Sequence, residues 1–148
     1  MALDPSFIGH TYPPSPAYLV GREKIREFAD AIGADDAAYR DPAAAAAIGH
    51  PDVIAPPTFP MVVTTLASQV MLDDPALGVD FSRVVHGDQR FSYVRPIRAG
   101  DSLVCVCVVE DVMTRGGHGF LTTRTEVTTE AGEPVVTAWS RLVIRGED

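Results

Sequence analysis

An α+β fold, an antiparallel β-sheet wrapped around a buried central helix, follows from three features of the sequence. Residues 58–72 (Thr-Phe-Pro-Met-Val-Val-Thr-Thr-Leu-Ala-Ser-Gln-Val-Met-Leu) carry no charge and set apolar side chains around nearly the whole circumference of a helix about four turns long. Such a helix belongs inside a protein, and its Thr, Ser and Gln content and short length argue against a membrane span. Four runs rich in β-formers follow, at 83–94, 102–113, 119–129 and 135–144. Between the last three lie short turn sequences, Arg115-Gly-Gly-His118 and Glu130-Ala-Gly-Glu-Pro134, so those strands are expected to be antiparallel neighbours.

Upstream, residues 1–16 are proline-rich and are expected to run extended over the surface, anchored by Phe7, Ile8 and Tyr12. Residues 17–20 are a short strand candidate. Over 22–32, Ile25, Phe28, Ala29 and Ile32 recur at i, i+3, i+4 and i+7 with charges opposite, which predicts an amphipathic helix ended by Gly33. Residues 34–57 begin acidic, pass through an alanine run with short-helix propensity and end in Ala55-Pro-Pro57. A long, partly irregular segment before a buried helix points to function. In that helix Thr58 is the expected N-cap, and Pro60 falls in the first turn, where a missing N–H costs nothing. Along 103–109 (Leu-Val-Cys-Val-Cys-Val-Val) both faces are apolar, so this run is expected to be a central strand, covered on one side by the helix and open to a partner on the other.

At 148 residues the chain suits a single domain, 1–148, with a sizeable core. Hydrophobic residues at 46% and charged ones at 22% exclude a disordered or fibrous chain. A formal net charge of −8 argues against nucleic-acid or anionic-membrane partners, because the overall field repels phosphate. Cys105 and Cys107 point the same way along a strand at roughly 7 Å, too far apart to bridge. They read as reduced core residues, which suits a cytoplasmic location. No Lys or Arg precedes Arg22, so no signal peptide is expected. His10, His50, His86 and His118 are scattered without metal spacing, and neither metal nor cofactor is expected.

Three segments, Val20-Gly-Arg-Glu-Lys-Ile-Arg-Glu-Phe28, Asp35-Asp-Ala-Ala-Tyr39 and Ala55-Pro-Pro-Thr-Phe59, resemble the hot-dog fold of MaoC-like (R)-specific hydratases and dehydratases, and the order of elements does so over most of the chain. The likeness is closest to the N-terminal MaoC-like branch, and within it to the non-catalytic subunit of actinobacterial (3R)-hydroxyacyl-carrier-protein dehydratases. That resemblance implies loss of water from a 3-hydroxyacyl thioester, with acid and base roles split between the Asp and His of a Gly-Asp-x-Asn-Pro-x-His segment. Aligned on Gly33 and Asp41-Pro42, the Asp position is Ala34 and the His position is Tyr39. Alanine has no proton to exchange, and a phenol is a poor base at neutral pH. A one-residue slip brings Asp35 to the acid position but supplies no histidine. Active members also set a Gly at the start of the buried helix, where its N–H holds the thioester carbonyl as charge develops. Here Pro57 occupies that oxyanion position and has no N–H.

His86 is the strongest candidate substitute. Alternation in Val85-His-Gly-Asp-Gln-Arg-Phe-Ser-Tyr93 sets His86, Asp88, Arg90 and Ser92 on one face, where Asp88 could orient the imidazole, with Val85, Phe91 and Tyr93 opposite. A solvated or interface face outweighs the catalytic reading. Arg83, Arg90, Arg95 and Arg98 make the stretch locally basic, a candidate contact for the phosphates of a pantetheine-bearing ligand. The candidate substrate-binding residues are Tyr39, Thr58, Phe59, His86 and Arg90, with Tyr39 and Phe59 as tunnel walls and core packing as the default. In the family that the chain resembles, the sheets of two protomers join and substrate lies at their junction. The expected function is therefore a non-catalytic channel subunit for an acyl-CoA or acyl-ACP thioester, heterodimeric with a MaoC-like catalytic subunit. The alternative is a homodimeric acyl-thioester-binding protein without catalysis. A hot-dog thioesterase ranks below both, since 58–72 offers only Gln69 where an Asp or Glu would activate water.

Overall fold

Alternation along the long strands decides which face of the sheet is buried. In the computed structural model, which describes residues 3–147, one antiparallel sheet runs in the order β1-β3-β4-β5-β2. Its strands are β1 (Tyr18–Leu19), β2 (Val84–Tyr93), β3 (Ser102–Arg115), β4 (His118–Thr129) and β5 (Pro134–Ile144). Leu103, Cys105, Cys107 and Val109 of β3, Leu121 and Val127 of β4, and Val136 and Ala138 of β5 are buried on one face. The helices are α1 (Arg22–Ala31), α2 (Pro42–Ala47), α3 (Pro60–Ala67) and α4 (Gln69–Leu72). Against that face, Ile25 of α1 with Phe59 and Val63 forms one core cluster. Met71 and Leu77, with Tyr12 from the N-terminal segment, form a second. Phe28 meets Phe59 edge-on at 5.4 Å, a geometry worth about 1 kcal/mol beyond the area buried.

The central helix departs from expectation in three ways. It is two helices, because the Ser68 hydroxyl donates back to the Thr65 carbonyl (3.1 Å) and tightens the turn there. Thr58 does not cap it: the first turn forms instead through the Thr58 carbonyl, which accepts from the Met61 N–H, while Phe59 occupies the cap position without a side-chain bond. Nor is it buried all round. Pro60, Val63, Thr64 and Met71 face the sheet, whereas Leu66 is 65% and Val70 49% exposed.

Strand β3 is not central either. Its outer edge pairs briefly with β1 and then with the proline-rich N-terminal segment, where Tyr12 N–H donates to the Cys107 carbonyl and Ser15 N–H to the Cys105 carbonyl. That segment is anchored by Leu3 and Tyr12, with Phe7 half-buried; Ile8 stays exposed, as does Ile32 at the end of α1. Between β2 and β3 the tight turn is clamped by Asp101. Its carboxylate accepts from the two terminal Arg95 guanidinium nitrogens (2.8 and 2.9 Å) and from the Arg98 N–H.

Candidate functional site

The loop after α1 is fixed by its own acids. Gly33 leaves the helix at φ +70°, a conformation glycine adopts without strain. Asp36 accepts from the Ala38 N–H and caps the turn at Ala37–Tyr39, and Asp41 accepts from the Ala43 N–H and caps α2. The Arg40 guanidinium donates to the Ala34 carbonyl (2.6 Å) and to Asp30 (2.7 Å). Thus Ala34 is pinned by its backbone, Asp35 is exposed, and Tyr39 is half-buried against the first core cluster.

At the start of α3, Pro57 and Thr58 are exposed and Phe59 is fully buried beneath Phe28, the core position rather than a tunnel wall. The structure adds a residue that alternation alone did not single out. The Tyr93 hydroxyl donates to the Pro57 carbonyl (2.7 Å), and the packing around that hydroxyl, on a residue that is 37% exposed as a whole, pushes its phenol above the ordinary value. The bulge described next leaves Tyr93 on one face with Phe91, as expected, and moves His86 onto that face and Val85 off it.

His86 and Asp88 do not share a face. The β2–β5 register shifts between them, with Gly87 as the extra residue, so His86 turns inward with Gln89, while Asp88 and Arg90 turn outward. The imidazole Nε2 lies 3.1 Å from the Gln89 amide oxygen and 3.4 Å from the Ser140 hydroxyl. An amide and a hydroxyl can orient the ring, but neither is the carboxylate partner expected in Asp88. Arg90 lies 3.9 Å over the Trp139 ring. Arg83 pairs with Asp80 and Glu147, and Arg95 with Asp101 and Glu133. Two of the four arginines of the expected basic cluster, Arg83 and Arg95, are therefore held by separate acidic partners, and a third, Arg90, lies on an aromatic ring.

Between α3–α4 and the inner sheet face lies a cavity of about 320 Å³ into which His86 projects. Its walls mix Met61, Met71 and Leu142 with Thr64, Thr123 and Ser140. Among the described residues no cluster of His, Cys, Asp or Glu could hold a metal ion, and no helix is long and apolar enough to cross a membrane.

A curled antiparallel sheet with a helix laid across one face and a cavity between them is the MaoC-like hot-dog architecture. The chain belongs to the FAS1-like dehydratase domain region family, whose model matches residues 6–138. A UPF0336 protein of Streptomyces coelicolor is 55% identical over 100% of this chain and 99% of its own length. Among solved structures, the C-terminally truncated HadBC (3R-hydroxyacyl-ACP dehydratase) complex from Mycobacterium tuberculosis contains a chain 35% identical, with a TM-score of 0.79, covering 93% of this chain and 96% of that one. A MaoC-like dehydratase is 32% identical with a TM-score of 0.89; the match covers 97% of this chain but 43% of that longer one.

Proposed function

We propose that this chain is the non-catalytic, channel-forming subunit of an (R)-specific 3-hydroxyacyl-thioester dehydratase, working beside a MaoC-like partner that carries the Asp/His pair. The observation that carries this reading is the set Ala34, Tyr39 and Pro57. The loop holding the first two is fixed by Arg40 and by the Asp36 and Asp41 caps, which engages those two carboxylates in its own turns and leaves Asp35 exposed with no histidine at the Tyr39 position to work with. His86, the candidate substitute, has an amide and a hydroxyl as neighbours instead of a carboxylate.

A partner is supported by what the chain leaves uncovered. Strand β2 ends the sheet and is paired only with β5, and Val85, Tyr93 and Val94 are exposed along and just beyond it. Leu66 and Val70 leave a second apolar patch on α3 and α4, beside the N-terminal segment at the β1 side of the sheet. The HadBC neighbour is a complex, and in the longer MaoC-like neighbour the match leaves more than half of the chain, room for a second domain of this size.

The test is hydration of crotonyl-CoA and longer trans-2-enoyl thioesters by this chain, by a motif-bearing MaoC-like protein, and by the two co-expressed. Turnover by the pair and none by this chain alone is expected. Turnover by the purified chain alone overturns the reading. A stable homodimer that binds acyl thioester and ignores the partner leaves the binding-protein alternative in its place.

A further inference from the structure

We infer that the cavity beneath α3 is built for an acyl chain carrying a second oxygen, a hydroxyl or oxo group remote from the thioester. This rests on the reading of the chain as a channel subunit. The cavity's volume, about 320 Å³, equals on the order of ten groups the size of a water molecule. A lining that receives only methylenes needs no polar atoms, and Met61, Met71, Leu72 and Leu142 are of that kind here. The polar side chains of the same cavity are different in kind. Thr64 from α3 and Thr123 and Thr125 from β4 line it and are only 8%, 4% and 4% exposed, and they make up all but one of the buried polar residues among those described. The remaining one, Asp101, is spent on the β2–β3 turn.

Beside those threonines stand Ser140, His86 and Gln89, linked to one another at 3.1 and 3.4 Å. The strip therefore presents hydroxyls, which both donate and accept, next to an imidazole and an amide that do the same. Entry of a plain hydrocarbon strips water from these groups and returns no hydrogen bond. A chain with one oxygen at that depth replaces the water it expels. Sites built to bond a substrate hydroxyl reject the analogue lacking it far more strongly than apolar pockets discriminate by size.

The experiment uses the reconstituted pair with its MaoC-like partner. Its kcat/KM is measured for a decenoyl-CoA and for congeners bearing one hydroxyl in the distal half of the chain. At least one congener is expected to be preferred about tenfold, and the preference is expected to vanish in Ser140→Ala and in Thr123→Val. Ser140 is half-buried, so Ser140→Ala keeps the test alive if the fully buried Thr123 variant does not fold. Equal kcat/KM for all substrates, or a preference that both variants retain, overturns the inference and leaves the channel-subunit reading standing. Absence of turnover of any thioester by the pair overturns both.

Discussion

Asp101 shows how much one side chain can hold in this molecule. Its carboxylate is 7% exposed and the Arg95 side chain 14%, so the pair is largely out of water, and it also ties down the Arg98 N–H. Hydrogen bonding to Asp101 pushes the Arg95 pKa up, and Glu133 adds a second, solvent-facing partner. Removing one partner of such a pair strands the other, so Asp101→Ala is expected to cost about 3 kcal/mol, read as a lower urea midpoint. Glu133→Ala, at the exposed end, is expected to cost less than 1 kcal/mol. The sequence showed Arg95 and Asp101 bracketing a turn, but not that they met, and Arg95 was therefore counted as a basic contact. Cys105 is a second case, read correctly as a core residue. Burial pushes its thiol up to about 12 and raises that of Cys107 too. At pH 8 only on the order of one in ten thousand Cys105 side chains is thiolate, so both cysteines are expected to resist a disulfide-exchange reagent until denaturant is added. A folded pKa above the unfolded one means stability that is complete below the ordinary thiol value and lost as pH rises through the window between the two. Unfolding midpoints should therefore begin to fall above about pH 9.

Strand and helix identities were legible because the patterns are long, as in the period-2 alternation of β4 and the i, i+3, i+4 spacing of α1. What periodicity cannot carry is a single inserted residue. In β2 the bulge at Gly87 reverses the facing of everything on one side of it, which separated His86 from Asp88 and set His86 on the face of Phe91 and Tyr93. Glycine inside a strand was the available signal. A side chain at Gly87 would place its Cβ 3.1 Å from Val143 Cγ2 and 3.4 Å from the Arg141 carbonyl. Gly87→Val is accordingly expected to cost about 1–3 kcal/mol by forcing β2 from β5, measured by denaturant unfolding. It is also expected to alter the His86 ring environment seen by NMR. A variant as stable as the parent would mean that the bulge tolerates a side chain and does not fix the facing of β2. Similarly, the run of 58–72 read as one helix because every residue in it favours or tolerates helix; Ser68 breaks it through a local hydrogen bond that propensity does not register.

On the scale of the molecule, the same uniform apolarity that made 58–72 recognisable as a central helix hid its orientation. A helix apolar on every side gives no sign of which side meets its own sheet, and the structure resolves this by burying Val63 and Met71 while leaving Leu66 and Val70 in solvent. The fold was thus readable from one chain, whereas the surface left for another chain was not. That difference makes Leu66 a clean probe. Because Leu66 makes little of the monomer's core, Leu66→Asp is expected to change the stability of the isolated chain by no more than about 0.5 kcal/mol. At the centre of an apolar interface, by contrast, an unpaired carboxylate is expected to cost at least 2 kcal/mol of association, about thirtyfold in Kd. Co-purification with the MaoC-like partner should then fail, and sedimentation should show the variant at the 15.9 kDa of one chain under conditions where the parent chain is paired. A variant that unfolds like the parent and still assembles fully would show that α3 is not part of the contact, leaving the exposed edge of β2 as the surface through which two sheets would have to join.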